Sequence, residues 1–213
     1  MFRTLISALA LALSTSAFSE SFVENLDYFR LKAQQPTQVA KDKVEVVEVF
    51  QFGCIHCAHM ESVLTVWKKT KPAAVEFRGI HATFGNPGLQ TLARAHLALL
   101  ALGMADKTQR AMFKDVESGR QPSTDLNVIA KSLVPFGIKP EVFVATANSF
   151  SVSQKLKQNE TILPRYEVGG TPEFIVAGKY RVSVLAGKPQ ERTLAVVDFL
   201  VQKEIIERAA AKK

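Results

Sequence analysis

The chain has 213 residues, of which 47% are hydrophobic and 22% are charged, and its net charge is +7 at pH 7. This length is enough for one domain, or for one domain with an insertion. Such a domain can build a stable hydrophobic core without a structural disulfide. The positive charges are spread among acidic residues, which favours an ordinary solvated surface over a nucleic-acid-binding patch. We therefore expect no nucleic-acid partner.

Residues 1–19 have the layout of a secretory signal peptide. Arg3 supplies the positive charge, an apolar run extends over residues 5–13, and small residues such as Ala17 and Ser19 follow. The apolar run is too short to span a membrane. We predict cleavage after Ser19, with Ala17 as the alternative, and a soluble exported protein in a compartment where disulfides persist.

The stretch that begins at Val44 predicts a strand, a short turn and a helix. From Val44 to Phe50 the residues are mostly β-branched or aromatic, and apolar side chains fall on both faces, which is typical of an inner strand. The spacing then becomes helical, with one apolar face formed by Met60, Val63, Leu64 and Trp67. Cys57 falls on this inward face, whereas Cys54 stands where the helix opens and its sulfur can face solvent.

The position of Cys54 favours its thiolate form. Backbone N–H groups at a helix start have no partners within the helix and carry partial positive charge, and His56 can add a donor or a full charge. Cysteines in helix starts and Cys-x-x-Cys motifs have pKa values of about 3.5 to 7.5 instead of roughly 8.5. Stabilising the reduced form by about 1.4 kcal/mol makes a disulfide more oxidising by roughly 30 mV. A bridge between Cys54 and Cys57 closes almost no loop, so the pair is expected to be reactive rather than structural.

The middle of the chain predicts a helical block between strands. A short strand is expected at Asp27–Leu31 and a second inner strand at Val75–Ala82, whereas residues 89–165 have helical periodicity and no convincing strand. One helix has an apolar stripe that consists of Leu92, Ala95, His96, Leu99 and Leu100. Ser123 or Thr124 is the expected N-cap of a later helix, and Pro164 should kink or end the last one.

Strand signals return after the helical block. Glu173–Ala177 and Tyr180–Val184 flank Gly178-Lys179, which predicts a hairpin, and a closing helix is expected from about Pro189 to Ala209. Before the hairpin, a cis proline at Pro172 would let Thr171 present its backbone N–H and C=O to an extended peptide. The order β-α-β, helices, β-β-α indicates an α/β protein whose sheet is interrupted by a helical insertion.

Several of these features together resemble the DsbA family of periplasmic thiol:disulfide oxidoreductases. They are the segment Phe52-Gly53-Cys54-Ile55-His56-Cys57, the helical block, Gly170-Thr171-Pro172 and the hairpin over residues 174–180. The resemblance covers essentially the whole expected mature chain. It implies a thioredoxin-like fold with an inserted all-helical domain, in which residues 20–88 and 167–213 form the thioredoxin-like domain and residues 89–166 form the insertion.

The resemblance also implies roles for individual residues. Cys54 would form the mixed disulfide with reduced exported proteins, Cys57 would resolve it, and Thr171-Pro172 would be a cis-proline loop that binds substrate. The Cys54–Cys57 disulfide would serve in place of a separate cofactor. A membrane partner of the DsbB type would reoxidise the protein in the periplasm.

Two acidic residues match family positions. Glu48 lies six residues before Cys54 and shares a strand face with Val46 and Phe50, so we expect it to be buried, with a raised pKa, and able to exchange a proton with Cys57. The alternative is that Glu48 reaches solvent at a strand end. Glu61 matches a second acid of the family, or is simply a surface residue.

Two departures from the family pattern leave the direction of the reaction open. Ile55 stands where a proline is familiar, which removes rigidity at the helix start. Thr171 stands where many members have valine, which is a feature of the isomerase branch. The main hypothesis is therefore an oxidase that donates disulfides, and the alternatives are a reductase or isomerase kept reduced by a partner and a non-enzymatic, chaperone-like peptide-binding module.

The remaining histidines and the oligomeric state complete the predictions. Cys54, His56, Cys57 and His59 are all metal-ligand types, but they are crowded at one helix start, and we expect no metal site. His96 is expected to be a core residue. Residues 20–43 are too few for an N-terminal dimerisation domain, which favours a monomer.

Overall fold

The computed structural model describes residues 21–185 and 187–211, and the predicted signal peptide over residues 1–19 lies outside them. The strands are β1 (Phe29–Arg30), β2 (Val44–Phe50), β3 (Val75–His81), β4 (Glu173–Val176) and β5 (Tyr180–Ser183). The helices are α1 (Ile55–Thr70), α2 (Pro87–Ala101), α3 (Ala105–Glu117), α4 (Leu126–Ser132), α5 (Pro140–Ala147), α6 (Phe150–Ile162) and α7 (Gln190–Ala210). No helix within these ranges is both long and apolar enough to cross a membrane.

The five strands form one sheet in the order β1-β5-β4-β2-β3. β2 and β3 run parallel, and the other neighbouring strands are antiparallel. All seven residues of β2 are buried, which confirms the prediction of an inner strand. One face of the sheet packs against α1 and α7, through residues such as Leu64 and Leu200, and the other face packs against Tyr166 and its neighbours.

Helices α2 to α6 separate β3 from β4, so the predicted helical block is confirmed. Its core contains large apolar residues, among them Leu92, Leu99, Phe113 and Phe143. The same cluster includes Cys57 and the aromatic residues that precede Cys54. The helical block therefore packs directly against the end of the sheet that carries the cysteines. The boundaries of the two domains stay a prediction.

Three local predictions need correction. Leu100 is 47% exposed, because each helical residue rotates by about 100° and Leu100 therefore lies off the stripe that Leu92 and Leu99 define. The N-cap of α4 is Asp125, not Ser123 or Thr124, since the Asp125 carboxylate accepts the Asn127 N–H at 2.7 Å. The strand expected at Asp27–Leu31 is reduced to β1, because only Phe29 and Arg30 pair with β5.

The predictions for the end of α6 and for the hairpin are confirmed. Helix α6 ends at Ile162, and Pro164 lies in the short 3-10 turn that follows, as expected for a helix-ending proline. β4 and β5 form the predicted hairpin. Gly178 in its turn has φ +63°, and a Cβ there would collide with the carbonyl oxygen of Gln35, so the turn requires glycine.

Candidate active site

Cys54 lies at the junction between the sheet and helix α1. Strand β2 ends at Phe50, and a turn closed by the Cys54 N–H and the Gln51 carbonyl oxygen at 3.1 Å brings the chain to the helix. Cys54 is itself the N-cap of α1, with φ −101° and ψ 115°, and its sulfur accepts the Cys57 N–H at 3.4 Å. The sulfur thus occupies the position that a serine or aspartate oxygen takes in an ordinary N-cap.

The two sulfurs have opposite surroundings. Cys54 is partly exposed, whereas Cys57 is completely buried in the core between α1 and the helical block. Burial, followed by the neighbouring Cys54 sulfur, raises the pKa of the Cys57 thiol far above its usual range. The two sulfurs are not bonded to each other in this structure, so their pKa values describe the dithiol form. Of the pair, Cys54 is the sulfur that ionises first.

The pKa of Cys54 is lowered to about 5. The largest cause is the hydrogen bond from the Cys57 side chain, which outweighs the opposing effect of burial. The Thr171 side chain and the backbone N–H groups of Cys57 and His56 lower this pKa further. Hydrogen bonds to the charged form favour that form, so the helix start holds a thiolate at neutral pH.

The chain brings Thr171 and Pro172 next to Cys54 because β4 pairs with β2. In this antiparallel pair the start of β4 lies beside the end of β2, with Glu173 opposite Val49. The Thr171-Pro172 peptide bond is cis, and the Cys54 thiol donates to the Thr171 carbonyl oxygen at 3.2 Å. This carbonyl can accept only from the protonated sulfur, whereas the Thr171 side chain is one of the groups that lower the Cys54 pKa.

His56 is exposed beside this loop. It lines a cleft of about 320 Å³ together with Gly170, Thr171, Pro172 and residues of the β5–α7 connection. The His59 ring lies 6.5 Å from the His56 ring, between centroids. Within the described ranges no group of three or more His, Cys, Asp or Glu side chains is arranged to hold a metal ion. The contribution of His56 to the Cys54 pKa comes from its backbone N–H.

Glu48 is 2% exposed, so the expectation that it is buried is confirmed. Desolvation raises its pKa to about 8, with a further rise from the charges of Glu61 and Cys54 and an opposing effect from Lys68. Glu61 is also buried rather than on the surface, and its carboxylate lies 3.7 Å from the Lys68 amino group. Lys68 was not singled out in the sequence, although it lies seven residues after Glu61 and therefore on the same face of α1.

Two buried histidines lie near the site. His81 pairs with Phe50 across β2 and β3, and its Nε2 accepts the N–H of Phe52, two residues before Cys54, at 3.1 Å. Burial lowers the pKa of His81 to about 3 and that of His96 to about 4, so both rings are neutral at physiological pH. Neither His96 nitrogen has a hydrogen-bond partner of good geometry among the residues described. His96 is thus a core residue, as expected, whereas the support that His81 gives the turn was missed.

Comparison with known proteins identifies relatives over the whole chain. The family model described as a DSBA-like thioredoxin domain matches residues 45–196. The thiol:disulfide interchange protein DsbA of Pseudomonas syringae pv. tomato is 34% identical over 216 residues, which cover 100% of this chain and 99% of the relative.

Solved structures give the same result. The crystal structure of Pseudomonas aeruginosa DsbA has a TM-score of 0.81 and 30% identity, and it covers 90% of this chain and 97% of that one. The oxidoreductase DsbA from Xylella fastidiosa has a TM-score of 0.76 and 32% identity, covering 84% of this chain and 95% of that one.

Proposed function

Since the chain belongs to the family of DSBA-like thioredoxin domains and has the thioredoxin-like fold with an inserted helical domain that the sequence predicted, we propose that it is a thiol:disulfide oxidoreductase working as a dithiol oxidase. It donates the Cys54–Cys57 disulfide to reduced proteins. The observation that carries the proposal is the contrast between the two sulfurs, one a stabilised thiolate at a helix start and the other a buried thiol.

The reaction exchanges one disulfide for another. A client thiolate attacks the Cys54 sulfur, the Cys54–Cys57 bond breaks, and Cys57 leaves as a thiolate that takes up a proton. A second client thiolate then attacks the client sulfur of the mixed disulfide, and Cys54 leaves as a thiolate. Two client thiols are oxidised to a disulfide, and the Cys54–Cys57 disulfide is reduced. If Cys57 attacks first, it resolves the mixed disulfide and releases the client still reduced.

The direction follows from the stability of the Cys54 thiolate. A pKa of about 5 stabilises the reduced form at pH 7 by about 2 kcal/mol, after allowance for the solvent screening of a half-buried sulfur. For a two-electron couple this makes the disulfide more oxidising by roughly 40 mV. The low pKa also makes Cys54 the better leaving group in the second step, because thiols of lower pKa leave faster.

Glu48 is the proposed proton donor for Cys57. Both residues are buried, the charge of Cys54 raises the pKa of Glu48, and the raised pKa of about 8 keeps Glu48 protonated at neutral pH. When the Cys57 thiolate is released into a buried site, a neutral carboxyl nearby can supply the proton that the buried sulfur requires. The proton returns to Glu48 when the disulfide is re-formed.

The client is proposed to bind at the cleft beside Thr171 and Pro172, with the extended peptide along the exposed backbone and His56 at its edge. We place the reaction in the periplasm after export, with a monomeric protein that is reoxidised by a membrane partner of the DsbB type and uses no cofactor beyond its cysteine pair. Binding through the backbone of Thr171, rather than through a side-chain pocket, suits many different client sequences.

The test is the oxidation of a reduced two-cysteine peptide by the disulfide form of the protein. We expect stoichiometric oxidation by the parent protein and none by Cys54→Ser. Cys57→Ser, with Cys54 first loaded as a mixed disulfide with a small thiol, should exchange that thiol for a one-cysteine version of the peptide and keep it as a stable mixed disulfide, because neither Cys57 nor a second client thiol is present to resolve it. A parallel assay on a scrambled disulfide substrate separates the isomerase alternative. Strong reshuffling with feeble oxidation would assign the protein to that class. Neither oxidation nor reshuffling by the parent, with peptide binding unchanged in Cys54→Ser, would leave only a peptide-binding role.

A further inference from the structure

The loop that carries Thr171 to Cys54 has little stiffness of its own. It contains Gly169 and Gly170 in succession, and a Cβ at either position would meet no other atom within 4 Å. Glycine has the widest conformational freedom of any residue, so nothing local fixes this backbone. Yet the Thr171 carbonyl oxygen lies 3.2 Å from the Cys54 sulfur, which requires the loop to hold one position.

Glu173 connects this loop to the sheet. It is the first residue of β4 and is 5% exposed. One carboxylate oxygen, Oε2, accepts the Gly169 N–H at 3.3 Å. The other, Oε1, accepts from the Arg181 guanidinium at 3.1 Å and from the Ser183 hydroxyl at 2.8 Å, both on β5. A single carboxylate thus bridges the glycine loop on one side and the hairpin partner strand on the other.

The stability of the sheet alone does not favour a carboxylate at this position. The next three residues of β4 are apolar and buried, and an apolar residue at the first position would avoid the cost of desolvating a charge. A buried ion pair is often no more stabilising than a well-packed apolar side chain of similar size. An apolar side chain could not accept the Gly169 N–H, and so it could not connect the loop to β5.

We propose that Glu173 is a positioning residue for the reaction, which holds the Gly169–Thr171 loop against Cys54 through the Arg181 and Ser183 contacts. It touches neither sulfur and acts only through the loop. The inference rests on the proposed function in so far as the loop serves client exchange at Cys54. The order of the loop itself can be measured without any activity.

The experiment compares Glu173→Ala with the parent protein and with Glu204→Ala in the reduced full-length mature protein. Glu204 is a matched control, because it is also a buried glutamate, it is ion-paired with Lys179 and Arg208, and it contacts no residue of the loop. Amide hydrogen exchange at Gly169, Gly170 and Thr171 reports on the loop, and the titration of the Cys54 thiolate reports on its contact with the sulfur.

We expect Glu173→Ala to speed exchange at the Gly169 amide by about tenfold or more, because this amide loses its hydrogen bond to a charged acceptor. It should also raise the Cys54 pKa, since the Thr171 side chain lowers that pKa in the intact site. Glu204→Ala should lower the unfolding midpoint while leaving both readouts as in the parent. If Glu173→Ala does not fold, Glu173→Gln keeps the side-chain length and should give the same changes to a smaller degree.

Unchanged loop exchange and an unchanged Cys54 titration in a folded Glu173 variant would overturn the proposal, even if the parent oxidises its substrate normally. Equal changes in Glu173→Ala and Glu204→Ala would also overturn it, because they would show general destabilisation only. A parent protein that fails to oxidise the reduced peptide would instead reject the proposed function, whatever the loop amides do.

Discussion

The pH dependence of folding tests the burial of Glu48 directly. The substitution Glu48→Gln keeps the shape of the side chain and removes the carboxyl group that ionises. In the folded protein the pKa of Glu48 is raised from an ordinary 4.5 to about 8, mainly by desolvation. A raised carboxyl pKa means that the unfolded chain loses this proton at a lower pH than the folded protein does. The folded state is therefore favoured fully below pH 4.5 and loses this contribution as the pH rises toward 8.

The ordinary pKa of 4.5 and the raised pKa of about 8 determine how much stability is lost through Glu48. Each pH unit between 4.5 and 8 removes about 1.4 kcal/mol of stability through Glu48, so that about 3 kcal/mol is lost by pH 7. Glu48→Gln should therefore match the parent near pH 4.5 and exceed its free energy of unfolding by about 3 kcal/mol at pH 7. Above pH 8 the difference between the two proteins should stop growing.

The assay is urea unfolding of the reduced protein over this pH range. Glu76→Gln is the control, because Glu76 is exposed on the neighbouring strand β3 and its substitution should change stability by less than about 0.5 kcal/mol at any pH. A difference between Glu48→Gln and the parent that stays constant from pH 5 to about pH 8 would refute the reasoning, since Glu48 would then titrate like a carboxyl in water.

Three further substitutions test other parts of the site and the core. Thr171→Val keeps the shape of the residue and removes the hydroxyl, so we expect the Cys54 pKa to rise by about one unit, measured by thiolate absorbance; an unchanged titration would exclude the hydroxyl as a donor. His56→Ala should leave the same pKa nearly unchanged, because the contribution of this residue comes from its backbone N–H, which remains; a clear rise would show that the imidazole also stabilises the thiolate. Phe143→Ala should lower the free energy of unfolding by about 3 to 5 kcal/mol, because the ring is completely buried in the core that reaches Cys57; a loss below about 1 kcal/mol would contradict that packing.

The sequence was sufficient for the elements that depend on local pattern. The run of β-branched residues from Val44 to Phe50 predicted an inner strand, and the apolar spacing after Cys57 predicted which sulfur is buried. The proline at 172, placed before a strand, predicted the element that approaches Cys54. The first two predictions use residues that are close together in the chain, whereas the approach of Pro172 to Cys54 was implied by the family resemblance.

Contacts between distant parts of the chain could not be read in this way. The burial of Glu61 depends on the packing of α1 against the helical block, where Lys68 also reaches Asp106 of α3. The support of the active-site turn by His81 arises only because β3 pairs with β2. In the sequence nothing distinguishes Glu173 from other strand residues, because its contacts with Arg181 and Ser183 form only in the folded hairpin.

The stabilised thiolate of Cys54 underlies both the direction of the reaction and the release of Cys54 from the mixed disulfide, so its titration is the most direct test. The absorbance of the thiolate is followed against pH in the reduced protein, with Cys54→Ser as the blank. We expect a midpoint near 5. A midpoint near 9, the ordinary value for a thiol, would contradict the proposed oxidase.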